Sequence, residues 1–149
     1  MRLVLQRVKQ AQVEVQQQLV GRISRGLLVF LGVHQNDKPS QTPGMVSKLT
    51  QLRIFEDSFG KMNHSVLDIK GEILVISQFT LYANCKKGRR PDFFEAAPPS
   101  LALPIYEKFL TEVHAAIGSV QRGVFGANMQ IHSINDGPAT FILEDHCVG

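Results

Sequence analysis

Between Gly26 and Val33 the chain runs Gly-Leu-Leu-Val-Phe-Leu-Gly-Val, without a polar side chain. A continuous apolar run of this length, bounded by glycine, suits a strand buried on both faces. A sheet holding such a strand needs apolar cover above and below it. Residues 72–83, Glu-Ile-Leu-Val-Ile-Ser-Gln-Phe-Thr-Leu-Tyr-Ala, read as a second strongly apolar strand.

Residues 2–15 also have β character, with Leu3 and Leu5 on one parity and Val4 and Val8 on the other. Gln16, Gln17 and Gln18 interrupt the pattern before Leu19, Val20 and Ile23 resume it, which predicts a hairpin. Residues 34–44 hold Asn, Asp, two Pro and Gly, and read as loop. Met45, Leu49 and Leu52 fall at helical spacing and predict a short helix, giving way near Arg53 to a strand over 54–56. Residues 57–71 are turn-rich. The clearest helix carries Ile105, Phe109, Val113 and Ile117 on one stripe, with Gly118 placed to end it. Strands are expected over 120–125, 129–134 and 139–144, with Asn135-Asp136-Gly137-Pro138 as the turn between the last two.

The chain is thus read as a single α/β domain over residues 1–149. Its expected form is a β-rich, barrel-like sheet, mixed or largely antiparallel, with two main helices packed on it. No glycine-rich phosphate loop follows a strand, which argues against a dinucleotide fold.

At 149 residues such a chain can bury a substantial core. Its 44% apolar and 19% charged residues exclude a disordered polymer. Sixteen basic against thirteen acidic side chains leave a formal charge of +3, compatible with a polyanionic partner without demanding one. Cys85 and Cys147 stand far apart in no metal or redox spacing, as expected of two reduced thiols. Arg2 and Arg7 break up the first apolar run, so it lacks the core of a signal peptide. No segment approaches the roughly 20 apolar residues of a membrane span. A cytoplasmic setting is expected.

The five histidines, His34, His64, His114, His132 and His146, form no HxxxH or HExxH pattern, and no metal site is expected. No GxSxG elbow is present, so a standard Ser/His/Asp hydrolase is not supported. Two segments remain unusual. Ser77-Gln78-Phe79-Thr80 puts three hydrogen-bonding side chains into an apolar run, and buried polar groups are costly unless paired. The plain reading is a half-exposed strand. Asn135-Asp136-Gly137-Pro138 reads plainly as a tight turn. A third feature, Lys86-Lys87-Gly88-Arg89-Arg90, is either a solvated face or a grip on phosphates.

Taken together, several segments resemble the bacterial and eukaryotic type of D-aminoacyl-tRNA deacylase. They are Arg7-Val8, Gly26-Leu27-Leu28-Val29, Ser77-Gln78-Phe79-Thr80-Leu81, the Lys-Lys-Gly-Arg-Arg-Pro loop, Phe125-Gly126-Ala127-Asn128-Met129 and Asn135-Asp136-Gly137-Pro138-Ala139-Thr140. The resemblance runs from Met1 to about Asp145. It implies a homodimer with its active site at the subunit interface, the 3′ end of aminoacyl-tRNA as partner, and neither cofactor nor metal. Ser77, Gln78, Phe79 and Thr80 would line the catalytic pocket. Gly137 and Pro138 would form a cis pair that reaches into the other subunit as a chiral gate, supported by Arg7 and Asn135. Phe125, Gly126 and Met129 would cradle the terminal adenosine, with Lys86, Lys87, Arg89 and Arg90 on the tRNA. Ala139 and Asn128 depart from the family's usual valine and aspartate.

The implied reaction is hydrolysis of the ester of D-aminoacyl-tRNA, with L-aminoacyl esters rejected and glycyl esters on tRNA-Ala accepted. An aminoacyl ester is already activated and lies beside a ribose hydroxyl. Backbone N–H groups near Phe79 and Thr80, with that hydroxyl helping to activate water, therefore offer one route. Thr80 as a covalent nucleophile is the other, although the motif supplies no general base for it. A non-catalytic RNA-binding module using Phe93 and Phe94 for stacking and a small-molecule esterase remain as alternatives.

Overall fold

In the computed structural model, which describes residues 1–145, the elements follow one another as β1 (Arg2–Val15), β2 (Gln18–Ile23), β3 (Gly26–Gly32), α1 (Thr42–Gln51), β4 (Phe55–Glu56), β5 (Met62–His64), β6 (Glu72–Ser77), α2 (Pro99–Ile117), β7 (Gln121–Arg122) and β8 (Gln130–Glu144). β1 organises the sheet. One of its sides is shared, residues 2–8 pairing antiparallel with β3 and residues 11–15 with β2. Its other side is covered by β8, antiparallel from Glu144 opposite Arg2 to Gln130 opposite Glu14. β3 then pairs parallel with β6, and β6 with β7, each through a crossover that carries a helix. The sheet is therefore mixed, and β2 folds back toward β6 and β7 so that it nearly closes.

This curvature explains the uniformly apolar run with which the sequence is marked. Leu27, Val29 and Leu31 of β3 face the helices and join Ile105, Phe109 and Val113 of α2 in the larger core. Leu28 faces the inside of the curled sheet, with Val8, Val13, Ile23, Leu74 and Ile76. β6 divides the same way, Ile73 and Val75 against the helices and Leu74 and Ile76 within the curl. Each such side chain contributes about 1.5–3 kcal/mol on leaving water, so both faces of these strands hold the fold together. α2 ends as its sequence predicts, with Gly118 at φ 86° and its N–H donating to His114 O at 2.8 Å.

Four expectations are corrected. Residues 34–44 are not all loop: α1 begins at Thr42 and takes Pro43 and Gly44 into its first turn, where proline's missing N–H has no intrahelical partner to lose. The strand expected over 72–83 stops at Ser77. Gln78 turns the chain, and Phe79–Tyr82 form one turn of 3-10 helix. Space for that turn comes from Gly32, where a Cβ would lie 3.0 Å from Leu81 Cβ and 3.2 Å from Gln78 O. The strand over 120–125 contracts to Gln121–Arg122, because a turn closes at Ala127, whose N–H donates to Val124 O at 3.1 Å.

The fourth correction concerns residues 135–138, which are not a turn between two strands. β8 runs through them unbroken. Gln6 pairs with Thr140 and Val8 with Asn135, so Arg7 alone faces the four residues Asp136 to Ala139. The excess residues bulge out of the ladder. Cys147 and His146 lie outside the described residues, while Cys85 is a free and exposed thiol.

Candidate active site

A cleft of about 610 Å³ opens beside the end of β6. Ser77 lines it from the end of β6, Gln78 and Phe79 from the turn that follows, and Phe125, Gly126 and Met129 from the segment between β7 and β8. These two stretches are far apart in the sequence and meet because β6 and β7 are parallel neighbours. Thr80 is not in the lining. It is exposed on the turn, and its hydroxyl accepts a hydrogen bond from Gln78 Nε2 at 2.5 Å.

The turn presents its backbone. Gln78 N–H still donates to Leu31 O at 2.8 Å, as though β6 continued, but among the described residues the N–H groups of Phe79 and Thr80 meet no acceptor. That is the ordinary condition of the first residues of a helical turn. The remaining lining is largely apolar. Its members include Leu31, Ile76 and Tyr106, and among the described residues it contains no histidine, acid, lysine, arginine or cysteine. Burial pushes the Tyr106 phenol up to about 12, and its hydroxyl donates toward Val75 O at 3.4 Å. Tyr106 and Phe125 pack with ring centres 5.5 Å apart, while Phe79 meets Phe93 edge-on at 5.1 Å.

The bulge of β8 is held from two sides. Arg7, 5% exposed, donates from Nε to Asp136 O at 3.0 Å and from Nη1 to Ile54 O at 2.7 Å. Glu56 at 3.7 Å and the Asp136 carboxylate at 3.8 Å balance its charge. Asn135 accepts the N–H of Ala139 at 2.9 Å on Oδ1 and donates from Nδ2 to Thr140 Oγ1 at 3.1 Å, spanning the bulge from within. The Gly137–Pro138 peptide is cis, as the sequence resemblance implies. Both residues are exposed and line no part of their own chain's cleft.

Lys86, Lys87, Arg89 and Arg90 sit on an exposed loop closed by paired backbone hydrogen bonds between Asn84 and Asp92, at 2.8 and 3.1 Å. Asp92, at its close, leads directly into Phe93 at the cleft, so the loop is adjacent to the cleft without lining it. Among the described residues no three His, Cys, Asp or Glu side chains gather as a metal site. No helix there is long and apolar enough to cross a membrane.

Sequence reasoning gave Tyr106 no role and placed Phe93 only on a stacking surface, whereas both line the cleft. A signal for Tyr106 existed, since a phenol within the apolar stripe of α2 needs a partner for its hydroxyl.

Comparison with known proteins bears on this arrangement. The family model described as D-Tyr-tRNA(Tyr) deacylase matches residues 4–144. A D-aminoacyl-tRNA deacylase of Aquifex aeolicus (strain VF5) is 53% identical over 144 residues, covering 97% of both chains. One from Protochlamydia amoebophila (strain UWE25) is 52% identical, covering 97% of this chain and 95% of its own. Among solved structures, a c-Myc DNA Unwinding Element Binding Protein superposes with a TM-score of 0.93 at 41% identity, covering 99% of this chain and 100% of that one. A probable eukaryotic D-amino acid tRNA deacylase shares the fold, with a TM-score of 0.86 at 20% identity over 95% of this chain and 97% of that one. With a matching family model over nearly the whole chain and relatives at half identity, this chain belongs to the D-Tyr-tRNA(Tyr) deacylase family.

Proposed function

We propose that this chain hydrolyses the ester of D-aminoacyl-tRNA, working as a homodimer and without a side-chain nucleophile. The observation that carries the reading is a cleft with free backbone donors at its edge and, among the described residues, no ionisable side chain in its lining apart from Tyr106. A phenol held near 12 stays protonated at neutral pH and cannot serve as a base there. An aminoacyl ester does not need one. Its carbonyl carbon is attacked by water, the oxyanion rests on the N–H groups of Phe79 and Thr80, and the ribose oxygen leaves with a proton. The neighbouring 2′-hydroxyl of the RNA assists in activating the water. Each well-placed donor lowers such a barrier by about 3–4 kcal/mol.

In this reading Phe125, Gly126 and Met129 hold the terminal adenosine, while Lys86, Lys87, Arg89 and Arg90 meet phosphates. Gly137 and Pro138 act in the partner's cleft. Support comes from β8, which among the described strands pairs only with β1 and carries Ile134 and Ile142, 48% and 63% exposed, on either side of the bulge. An open apolar edge of this kind is covered in stable proteins. Backbone carbonyls of the gate leave room beside the substrate's α-carbon for hydrogen but not for carbon. They thereby reject any L side chain and tolerate varied D side chains and glycine. A pocket judging side-chain shape would discriminate by only about 1–3 kcal/mol per methylene.

The test is deacylation of matched D- and L-tyrosyl-tRNA with chelator present, alongside light scattering for the dimer. Cleavage of the D ester alone by a dimer is expected. Equal rates on both esters would sink the gate, and binding without cleavage would favour a nucleic-acid-binding role instead.

A further inference from the structure

The turn over 79–82 is exposed at Phe79 and Thr80, where the edge contact of Phe79 with Phe93 and the Gln78–Thr80 hydrogen bond hold side chains. The direction of the two N–H groups therefore depends on how the backbone of the turn is anchored at its ends. Its entry is tied to β3 by the hydrogen bond from Gln78 to Leu31. Its exit is held by a residue outside the cleft. Arg2, at the start of β1, donates from Nη1 to Leu81 O at 2.5 Å. The same guanidinium lies 4.9 Å over the Tyr82 ring, and its Nε donates to Glu144. Glu144 stands directly opposite Arg2 in the pairing of β1 with β8. His34 also meets the Tyr82 ring, edge-on at 5.1 Å.

We propose that Arg2 is a positioning residue for the reaction, clamping the end of the turn so that the Phe79 and Thr80 N–H groups point at the ester oxygen. This rests on the reading that those two groups hold the oxyanion. Arg2 itself does not touch the substrate. The Leu81 carbonyl is fixed by Arg2, and the Thr80 carbonyl by the N–H of Ala83 at 3.0 Å, so two successive peptide planes are held. The donors belong to the planes just before them. A planar guanidinium makes these contacts in one fixed geometry, which the compact, rotatable lysine ammonium does not hold. Glu144 orients that fork from the last strand, so the clamp joins both ends of the described chain to the turn.

The test compares Arg2→Met and Arg2→Lys with wild type in steady-state deacylation of D-tyrosyl-tRNA. The same three proteins are examined by amide NMR and thermal melting. A misplacement of about 1 Å can cost about 10²-fold in rate, so Arg2→Met is expected to lower kcat by about 10–100-fold with KM nearly unchanged. Arg2→Lys, still able to donate to Leu81, recovers part of that loss. The Phe79 and Thr80 amide signals should shift in Arg2→Met while the melting temperature stays close to wild type. Unchanged kcat, a loss confined to KM, or unmoved amide signals would overturn the clamp. Should wild type leave the ester intact, the deacylase reading fails on its own, and the amide signals still judge the clamp.

Discussion

Arg7 and Gly137 are fitted to each other: a Cβ on Gly137 would lie 3.0 Å from Arg7 Nη2, and Gly137 adopts φ 139°, where side chains are rarely tolerated. The buried guanidinium stands directly behind the tip of the bulge. Its neighbouring donor, Nε, takes the carbonyl of Asp136. The bulge thus leans on β1 through one side chain, and its exposed tip is shaped from behind.

Gly137→Ala is expected to cost about 1–3 kcal/mol in stability, the usual penalty for a non-glycine residue forced into sparse backbone space. Deacylation of D-tyrosyl-tRNA should fall at least tenfold, because either Arg7 or the tip must move. Urea midpoints and initial rates on the purified variant measure the two effects separately.

Removing the support should act on selectivity before it acts on folding. Arg7→Met leaves the carbonyls of Ile54 and Asp136 without their donor, at a cost of about 1–3 kcal/mol. The ratio of D to L cleavage should drop as the tip loosens. Arg7→Lys keeps the charge but cannot serve both carbonyls from one fork, and should fall between the two. An unchanged D/L ratio in Arg7→Met would separate Arg7 from the gate.

The backbone reading of the turn makes a sharp distinction at Thr80. Thr80→Val keeps the N–H and is expected to retain deacylation within a few-fold. Thr80→Pro removes one donor and should lose about 10²–10³ in kcat. Single-turnover rates on D-tyrosyl-tRNA check both. Loss of all activity in Thr80→Val would return the hydroxyl to the centre of the mechanism.

Replacing Lys86, Lys87, Arg89 and Arg90 with Gln should raise KM for tRNA while sparing kcat. The salt dependence should flatten by about 0.7 in the log–log slope for each single-strand phosphate that is no longer neutralised. Cleavage of a D-aminoacyl-adenosine fragment, which lacks those phosphates, should be unaffected. Titrating KM against potassium chloride reads the slope.

Alkali should unfold the protein through its two tyrosines. Burial pushes Tyr106 up to about 12 and raises Tyr82 further, with the Asp37 charge adding to the effect. Both folded-state values lie above that of an unfolded phenol, near 10. The stability that follows from this is therefore intact below about pH 10 and is lost as pH climbs toward 12. Phenolate absorbance should rise together with loss of circular dichroism. Titration of either tyrosine at pH 10 with the fold intact would contradict its burial.

What the sequence determined by itself is what depends on short-range pattern. The doubly apolar strand at 26–33, the helix stripe from Ile105 to Ile117 and its glycine stop are all set by side chains within a few positions of one another. The motifs carrying the family resemblance are likewise local, so membership was legible without a fold. Tertiary structure alone decided three things. The chain leaves the sheet after Ser77 because Gly32, far along the chain, opens space for a turn. Residues 135–138 form a bulge and not a turn because β1 runs past them as a continuous partner, offering Arg7 to four residues at once. The cleft exists because parallel pairing brings β7 beside β6, carrying Phe125 to Met129 up to Phe79. In each case the deciding interaction is one of long sequence separation, which no local propensity encodes.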